Sequence, residues 1–406
     1  WGFMHEAGPF ESWDALGVKE TAEAMKAAGH PPADWVDEML AAGFATFYEY
    51  KGGKQIGVYD PAKRAYQRVE PDPLRIVLAD VKAEGRVLEK NDGASIVDLG
   101  DGVLCVEFHT KANSLDDDIM AMLNKAMDRL ETDYTGLVIG NDGDMFCAGA
   151  NLFSVVMGAQ SGAWDLLDQA IRTLQQLGLR FRYSPKPVVA APAGLALGGG
   201  CEIPMACQRI VAGAETYIGL VEVGAGVIPA GGGCKEVLRR ILNPAMRVPG
   251  TDALAYLTRI FETVGQAKVA TSAEEGRQMG FLAAGDRVVM NRDHLLAEAK
   301  REVLHMAPLH RPPLPEKIYA AGREALAAMR VGVHMFVEGG FISAYDALIG
   351  RKLAYTLCGG ELSQPTWVDE QYILDLEREA FLSLCGEQKT QERMWSILQT
   401  GKPLRN

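Results

Sequence analysis

The chain has 406 residues, 48% hydrophobic and 23% charged, with a formal net charge of −12. That length supports two or three domains, each with its own core. The acidic balance argues against a general nucleic-acid binder, which would carry basic stripes, but leaves room for an anionic ligand held by a few local cations or helix N-termini. No apolar run approaches the roughly 18 residues of a membrane span. The cysteines at 105, 147, 201, 207, 234, 358 and 385 form no CxxC pair and no even-numbered framework, which fits a reducing, cytoplasmic setting. The histidines show no HExxH spacing, so no metal site is expected.

In chain order, residues 1–60 read as helical and self-contained. An alanine-rich helix near 18–28 is stopped by Gly29, and Trp35, Val36, Met39 and Leu40 mark one face of a second helix after Pro31-Pro32. A charged stretch from about 61 to 92 reads as a linker with one short helix, closed by the turn residues Asn91-Asp-Gly93. From 95 the texture changes. Two strands flank the Gly100-Asp101-Gly102 turn, and Leu115, Ile119, Met122, Leu123, Ala126, Met127 and Leu130 form a helical stripe. Buried strands follow at Leu137–Gly140, Pro187–Ala191 and Arg209–Ala212, with helices at Trp164–Leu179 and Gly200–Cys207 between them. This alternation predicts an α/β domain with parallel strands. From about 236 the chain is mostly helical. Thr366-x-x-Asp369 is expected to cap a helix whose apolar face carries Ile373, Leu376, Ala380 and Leu384.

The chemistry gathers in glycine-rich runs. Leu197-Gly198-Gly199-Gly200 follows a strand and opens a helix, where the first N–H groups lack internal partners and sit at the positive end of the dipole. Without side chains, Gly199 and Gly200 let a carbonyl oxygen reach those donors, half of an oxyanion hole; the same run also reads as a tight strand–helix turn. Ala148-Gly149-Ala150 after strand 137–140 presents a second backbone N–H, at the carboxyl ends of strands where open α/β sheets bind ligands. Glu202 and Glu222 stand 20 positions apart beside these runs. Glu202 suits either dipole compensation or base chemistry, and Glu222, among Leu220, Val221 and Val223, is either an edge-strand surface residue or a buried acid. Cys201 at the helix start is a weaker candidate nucleophile, with no histidine near in sequence.

Phe146-Cys-Ala-Gly-Ala150-Asn-Leu, Gly198-Gly-Gly-Cys-Glu202, Glu222 and Ile228-Pro-Ala-Gly-Gly-Gly233 closely resemble the crotonase (enoyl-CoA hydratase/isomerase) superfamily over roughly residues 95–290. The resemblance implies a spiral of ββα units, with the N–H groups of Ala150 and Gly199 as the oxyanion hole. It makes Glu202 the group that activates water for attack on C3 and Glu222 the proton donor to C2. Both glutamates are present, which favours hydration of a 2-trans-enoyl-CoA over 3-enoyl-CoA isomerisation; a catalytically idle assembly domain is the alternative from another class. The family places CoA near Lys111 and Ala148, although Lys111 also reads as a solvated strand-end residue. No covalently bound cofactor is implied: the CoA thioester is the substrate. Two departures are Asn151, where many members have Asp, and the enlarged stretch 236–270, which bears on acyl-chain specificity.

The flanks extend the likeness. Trp1–Gly17 is similar to the C-terminal helical domain of 3-hydroxyacyl-CoA dehydrogenases, and the tail from Asp369 is similar to bacterial multifunctional β-oxidation enzymes. The implied layout is an all-α dehydrogenase remnant over 1–75, a crotonase-like core over 92–290 and a helical region over 291–406. The start at Trp-Gly-Phe-Met and the lack of GxGxxG imply a fragment whose NAD-binding half lies elsewhere. Family members commonly trimerise, so a homo-oligomer with an acyl-CoA substrate is expected.

Overall fold

The computed structural model describes residues 7–51, 54–70 and 72–406. The chain divides into two compact units, Trp1–Pro73 and Leu74–Asn406. The first six residues of the N-terminal motif lie outside the described residues.

In the first unit, helices α1 (Pro9–Leu16), α2 (Val18–Ala27) and α3 (Asp34–Ala41) precede an antiparallel sheet of β1 (Tyr48–Lys51), β2 (Lys54–Asp60) and β3 (Ala65–Arg68). The helical reading of residues 1–60 therefore holds for 9–41, and from Tyr48 the chain turns to strand. The aromatic side chains explain why. Phe47 and Tyr59 are buried with Val18, Val36 and Met39, and Trp35 and Phe44 pack on the same cluster. Aromatic residues suit the pleated, half-buried surface of a sheet. The Asp14 carboxylate ties helix to sheet by accepting the amides of Phe47 (2.7 Å) and Tyr48 (3.0 Å).

The second unit begins with α4 (Leu78–Ala83) and strands β4 (Val87–Lys90), β5 (Ala94–Asp98), β6 (Val103–Phe108), β7 (Gly136–Gly140), β8 (Val188–Ala191), β9 (Gly194–Leu197), β10 (Arg209–Gly213), β11 (Thr216–Gly219) and β12 (Arg287–Val289). Seven of these form one sheet in the order β12-β10-β8-β7-β6-β5-β4. It is parallel from β12 to β6 and antiparallel across β5 and β4. Strands β9 and β11 pair parallel in a small second sheet. The region expected to be a linker thus supplies β3 to one sheet and β4 to the other. Both are only four residues long, Ala-Tyr-Gln-Arg and Val-Leu-Glu-Lys. Such strands carry little hydrophobic periodicity, as edge strands often do.

Between the strands run α5 (Asp117–Thr132), α6 (Leu152–Gln160), α7 (Trp164–Tyr183), α8 (Gly199–Ala206), α9 (Gly233–Val237), α10 (Asn243–Met246), α11 (Ala253–Gly265) and α12 (Ala273–Met279). The large sheet is covered on both faces. Val103, Cys105, Val138, Val189 and Val211 pack with Leu295, Leu296, Ala299 and Val303 of α13 (Leu295–Met306). Leu104, Val106, Leu137, Ile139, Val188 and Ile210 face the main core with α5. A sheet buried on both faces has near-continuous apolar strands, which is why these strands stood out in the sequence.

The helical region comprises α14 (Gly322–Glu338), α15 (Ala344–Leu357), α16 (Glu370–Cys385) and α17 (Gln388–Thr400), with a short ribbon of β13 (Ile318–Ala320) and β14 (Thr366–Val368). Helix α16 starts at Asp369, which makes no side-chain cap. Thr366 is drawn into β14 instead, so the expected capping box does not form. The apolar face is as read: Ile373, Leu376, Ala380 and Leu384 are buried. The stretch 236–270 includes a π-helical turn (Leu238–Leu242) and α11, whose Leu257, Ile260 and Val264 join the main core with Leu353 and Leu357 of α15. Among the described residues, no helix is long and apolar enough to cross a membrane.

A buried ionic cluster fastens these layers. Glu236 accepts from Lys235 Nζ (2.5 Å), Arg239 Nη2 (2.7 Å) and Arg240 Nε (3.3 Å). Lys235 also reaches Glu370 of α16 at 3.1 Å, and Arg240 donates to the Met205 carbonyl of α8 at 2.7 Å. The cations hold the Glu236 carboxyl well below its ordinary pKa against the opposing effect of its burial. Removing Glu236 takes from three buried cations the carboxylate they share, leaving them Glu370, Glu316 and Asp286 at 3.1–3.8 Å. Glu236→Ala is therefore expected to lower the unfolding free energy by about 3–5 kcal/mol, measured by urea denaturation at pH 7; a loss under about 1 kcal/mol would show the cluster is not what fastens the helical region.

Candidate active site

The site forms where two loops from adjacent strands are stitched together. Cys147 bridges Ala196 and Leu115 bridges Ala150, both in the parallel sense. Leu115 donates to Gly149 O (2.8 Å) and accepts from Asn151 N (3.0 Å). In a parallel bridge these bonds use the residues on either side of Ala150, so Ala150's own N–H points away from Leu115. Gly198 N is bonded to Gly219 O, while Cys201 and Glu202 donate to Gly198 O. Among the described residues, neither Ala150 N nor Gly199 N donates a hydrogen bond. Gly199 is the first residue of α8, where an unpaired N–H is intrinsic.

Glycine is required where the loops meet. Gly149 has φ +99°, and a Cβ there would lie 2.9 Å from Leu197 O and 3.4 Å from Gly199 N. Gly198 has φ +55°, and its Cβ would lie 3.3 Å from Glu222 Oε1. A side chain at either position would be strained in backbone and would crowd the neighbouring loop. The position of a Cβ on Gly199 lies 3.7 Å from Ala150 N, so the two free donors belong to one small space with the Glu222 carboxylate at its edge.

The two glutamates differ in support. Glu202 lies in the first turn of α8 and is 4% exposed. Its Oε1 accepts the amides of Gly231 and Gly233, both at 2.8 Å. Burial pushes its pKa up to about 7, and the two amides and Lys235 limit the rise. Glu222 opens the 3-10 turn Glu222–Ala225 and is neither on a strand nor at an edge. The residue is half-buried, yet both carboxylate oxygens are shut from solvent and unpartnered. Burial, then the Glu202 charge, raises its pKa well above the ordinary range; weak approaches of the Glu222 and Val221 amides offset little of this. An unpartnered buried carboxylate is costly in an apolar site, and a group so perturbed is a functional candidate.

Lys111 is exposed in the 3-10 turn Lys111–Asn113. Ala148 N donates to Ala112 O (3.1 Å), and Asn113 Nδ2 donates to Met145 O (3.0 Å). The structure thus brings Lys111 and Ala148 onto one rim, next to Ala150. Asn151 caps α6 by accepting from Phe153 N and Ser154 N, a task Asn performs as well as Asp. Cys201 is fully buried, and burial with the Glu222 and Glu202 charges holds its thiol well above its ordinary pKa. It is not an activated nucleophile.

Two supporting residues escaped the sequence reading. Glu377 of α16 is fully buried and accepts the amides of Lys235 (2.6 Å) and Gly232 (2.9 Å). Thr390 of α17 donates to Gly226 O (2.6 Å), closing the turn that carries Glu222. Glu377 does leave a trace: at Ile373 plus four it sits on the buried stripe of α16, where a carboxylate is out of place.

Residues 98–248 match the enoyl-CoA hydratase/isomerase family. A probable 3-hydroxyacyl-CoA dehydrogenase of Bacillus subtilis is 44% identical over 407 residues, covering 100% of this chain and 51% of the relative. A putative fatty acid oxidation complex trifunctional enzyme of Rickettsia felis is 27% identical, covering 83% of this chain and 43% of the relative. The chain thus spans about half the length of these curated relatives. An enoyl-CoA hydratase structure from Bacillus halodurans aligns with a TM-score of 0.50 at 16% identity, covering 75% of this chain and 99% of that one, a likeness of fold. The chain carries a domain of the enoyl-CoA hydratase/isomerase, or crotonase, family, with that family's fold.

The buried Glu202 makes a stability prediction. Its folded pKa of about 7 lies above the ordinary 4.5, so the folded state holds this proton longer than the unfolded one. The associated stability is full below pH 4.5 and is lost as pH rises through about 7. Glutamine can keep both amide bonds through its single carbonyl oxygen. Glu202→Gln is therefore expected to be more stable than the native protein at pH 8, by up to about 3 kcal/mol, with the difference fading towards pH 4. Urea denaturation across that range checks it, and a glutamine variant less stable at pH 8 would contradict the assignment.

Proposed function

We propose that this domain is an enoyl-CoA hydratase, adding water in the syn sense to a 2-trans-enoyl-CoA to give a 3-hydroxyacyl-CoA. One observation carries the reading: two unpaired backbone N–H groups, Ala150 and Gly199, lie close together beside Glu222, whose buried oxygens are unpartnered, while Glu202 on the helix that Gly199 opens is held by two amides. The thioester oxygen accepts from Ala150 N–H and Gly199 N–H. Glu202, near its pKa at neutral pH, takes a proton from water as the oxygen adds to C3. The C2=C3 electron pair moves towards the carbonyl, and the negative charge that develops on the thioester oxygen meets the two donors. Glu222, protonated because of its burial, then gives its proton to C2. Proton return from Glu202 to Glu222 resets the pair. The step uses water, the thioester and the chain's own groups, with no bound cofactor. Lys111 and Ala148 line the rim on which the CoA moiety rests. The name of the Rickettsia felis relative supports a place in fatty-acid oxidation, and the proposal extends to a cytoplasmic homo-oligomer.

A second reading has its own observation. Of the two motif glutamates, Glu222 has both oxygens free, which equips it to carry a proton between C2 and C4 of a 3-enoyl-CoA. Assaying 2-enoyl and 3-enoyl substrates over a range of acyl lengths separates the two.

Hydration is expected to dominate. Glu202→Gln and Glu222→Gln should each lower kcat by about 10²–10⁴-fold with KM little changed, and Cys201→Ala should retain full activity. The kcat/KM profile should fall on the acid side near pH 7, the pKa of Glu202, because the base must be ionised. Activity that survives both glutamine substitutions would sink the mechanism.

A further inference from the structure

We propose that Glu377 is a positioning residue for Glu202, holding the Gly231–Lys235 turn from its far side so that the turn can present two amides to the Glu202 carboxylate. The inference rests on the hydratase reading for its kinetic consequences and on hydrogen-bond geometry for its structural ones.

The turn is gripped alternately by two carboxylates. Gly231 N and Gly233 N donate to Glu202 Oε1 at 2.8 Å each. The intervening Gly232 N donates to Glu377 Oε2 at 2.9 Å, and Lys235 N to Glu377 Oε1 at 2.6 Å. Gly232 has φ +111°, so consecutive amides point to opposite sides, one set towards α8 and the other towards α16. A carboxylate alone among side chains offers two acceptor oxygens and no donor, which suits it to catch both far-side amides.

Attachment of the helix does not account for a charge at this place. Helix α16 is already fastened by Gln175, whose Nε2 donates to both Leu374 O and Ala230 O at 2.8 Å. Arg378 adds bonds to Asp168 (2.7 Å) and Gln175 (3.0 Å), and Glu370 pairs with Lys235 at 3.1 Å. Yet Glu377 is fully buried, and burial together with the Glu202 charge pushes its pKa well above the ordinary range. A carboxyl group buried beside Glu202 costs stability unless its oxygens are engaged. The service visible here is to fix a glycine turn that has no side chains of its own to pack. Glu377 also lies well outside residues 98–248, the part matched by the family, so the support for Glu202 comes from the helical region rather than from the core that carries the motif.

The test uses the full 406-residue chain with Glu377→Gln and Glu377→Asp, each alone and combined with Glu202→Gln. Glutamine keeps one acceptor and turns a donor towards the other amide; aspartate keeps both oxygens on a shorter stem. Glu377→Gln is expected to lower kcat for 2-enoyl-CoA hydration about 10–100-fold, the cost of a roughly 1 Å misplacement, with KM within about twofold, and aspartate should restore part of the loss. In the Glu202→Gln background neither change should lower the residual rate further, because residues acting through one group are not additive. Unchanged kcat, or equal losses in both backgrounds, would overturn the proposal. If glutamine prevents folding, the aspartate variant is judged by the same criterion. If the native chain hydrates no 2-enoyl-CoA, the hydratase reading fails, and a crystal structure of whichever variant folds decides the positioning role. Loss of a Gly231 or Gly233 amide from Glu202 supports it, and an unmoved turn refutes it.

Discussion

The structure is organised around the burial of three carboxylates, Glu202, Glu222 and Glu377, in one region of the molecule. Water would solvate each of them by many kcal/mol, and the interior replaces it with a few amides. Glu202 and Glu377 receive two amides each, while Glu222 receives none of normal geometry. The raised pKa values register what remains uncompensated. For Glu202 alone, a rise from 4.5 to about 7 corresponds to about 3 kcal/mol at alkaline pH, a large part of the 5–15 kcal/mol that typically holds a domain together. The double-faced sheet and the ionic cluster on α9 offset such costs.

This constraint explains the glycines. An amide can compensate a buried carboxylate only if the backbone comes within hydrogen-bond distance, and side chains stand in the way. The run Gly231-Gly232-Gly233 serves Glu202 and Glu377 from opposite sides, whereas Gly149 and Gly198 let two loops meet while the neighbouring Ala150 N and Gly199 N stay free. The glycines therefore do two different things within a short distance: some donate to the carboxylates, and others give the loops room to meet while Ala150 N and Gly199 N stay unpaired.

Much of this was legible in the sequence because it is local. Strands β6, β7, β8 and β10 are apolar runs set by burial on both faces, and the glycine motifs at 146–151 and 198–202 mark the ends of two of the loops. Helix α5 showed its stripe directly. What escaped depends on distant partners. Strands β3 and β4 are only four residues long, too short to show a period, so neighbouring strands define them. Thr366 is a good cap by composition, but pairing with Ile318–Ala320 takes it into β14. Glu222 sits between apolar residues that suggested a strand, yet the glycines on either side of Ala225 let the chain coil into a 3-10 turn. Glu377 meets its amides 142 and 145 residues away in sequence, and helical periodicity can flag such a residue as misplaced without naming its partner.

The helical region therefore bears on the candidate site without supplying either motif glutamate. Helix α17 closes the Glu222 turn through Thr390, whose hydroxyl is also bonded to Tyr345 of α15 at 2.6 Å. Helix α16 backs the Glu202 turn through Glu377. Both motif glutamates fall inside residues 98–248, and both supports fall outside. The turn that carries Glu222 and the turn that holds Glu202 thus take support from elements that the motif does not contain, and catalytic groups in general must be held to a fraction of an ångström. Because an enolate-forming step depends on the alignment of donor, acid and base together, two domains with the same motif but different C-terminal helices need not share the same rate. The motif identifies the donors and carboxylates; the packing of α15, α16 and α17 against their turns determines how firmly these groups are held in register.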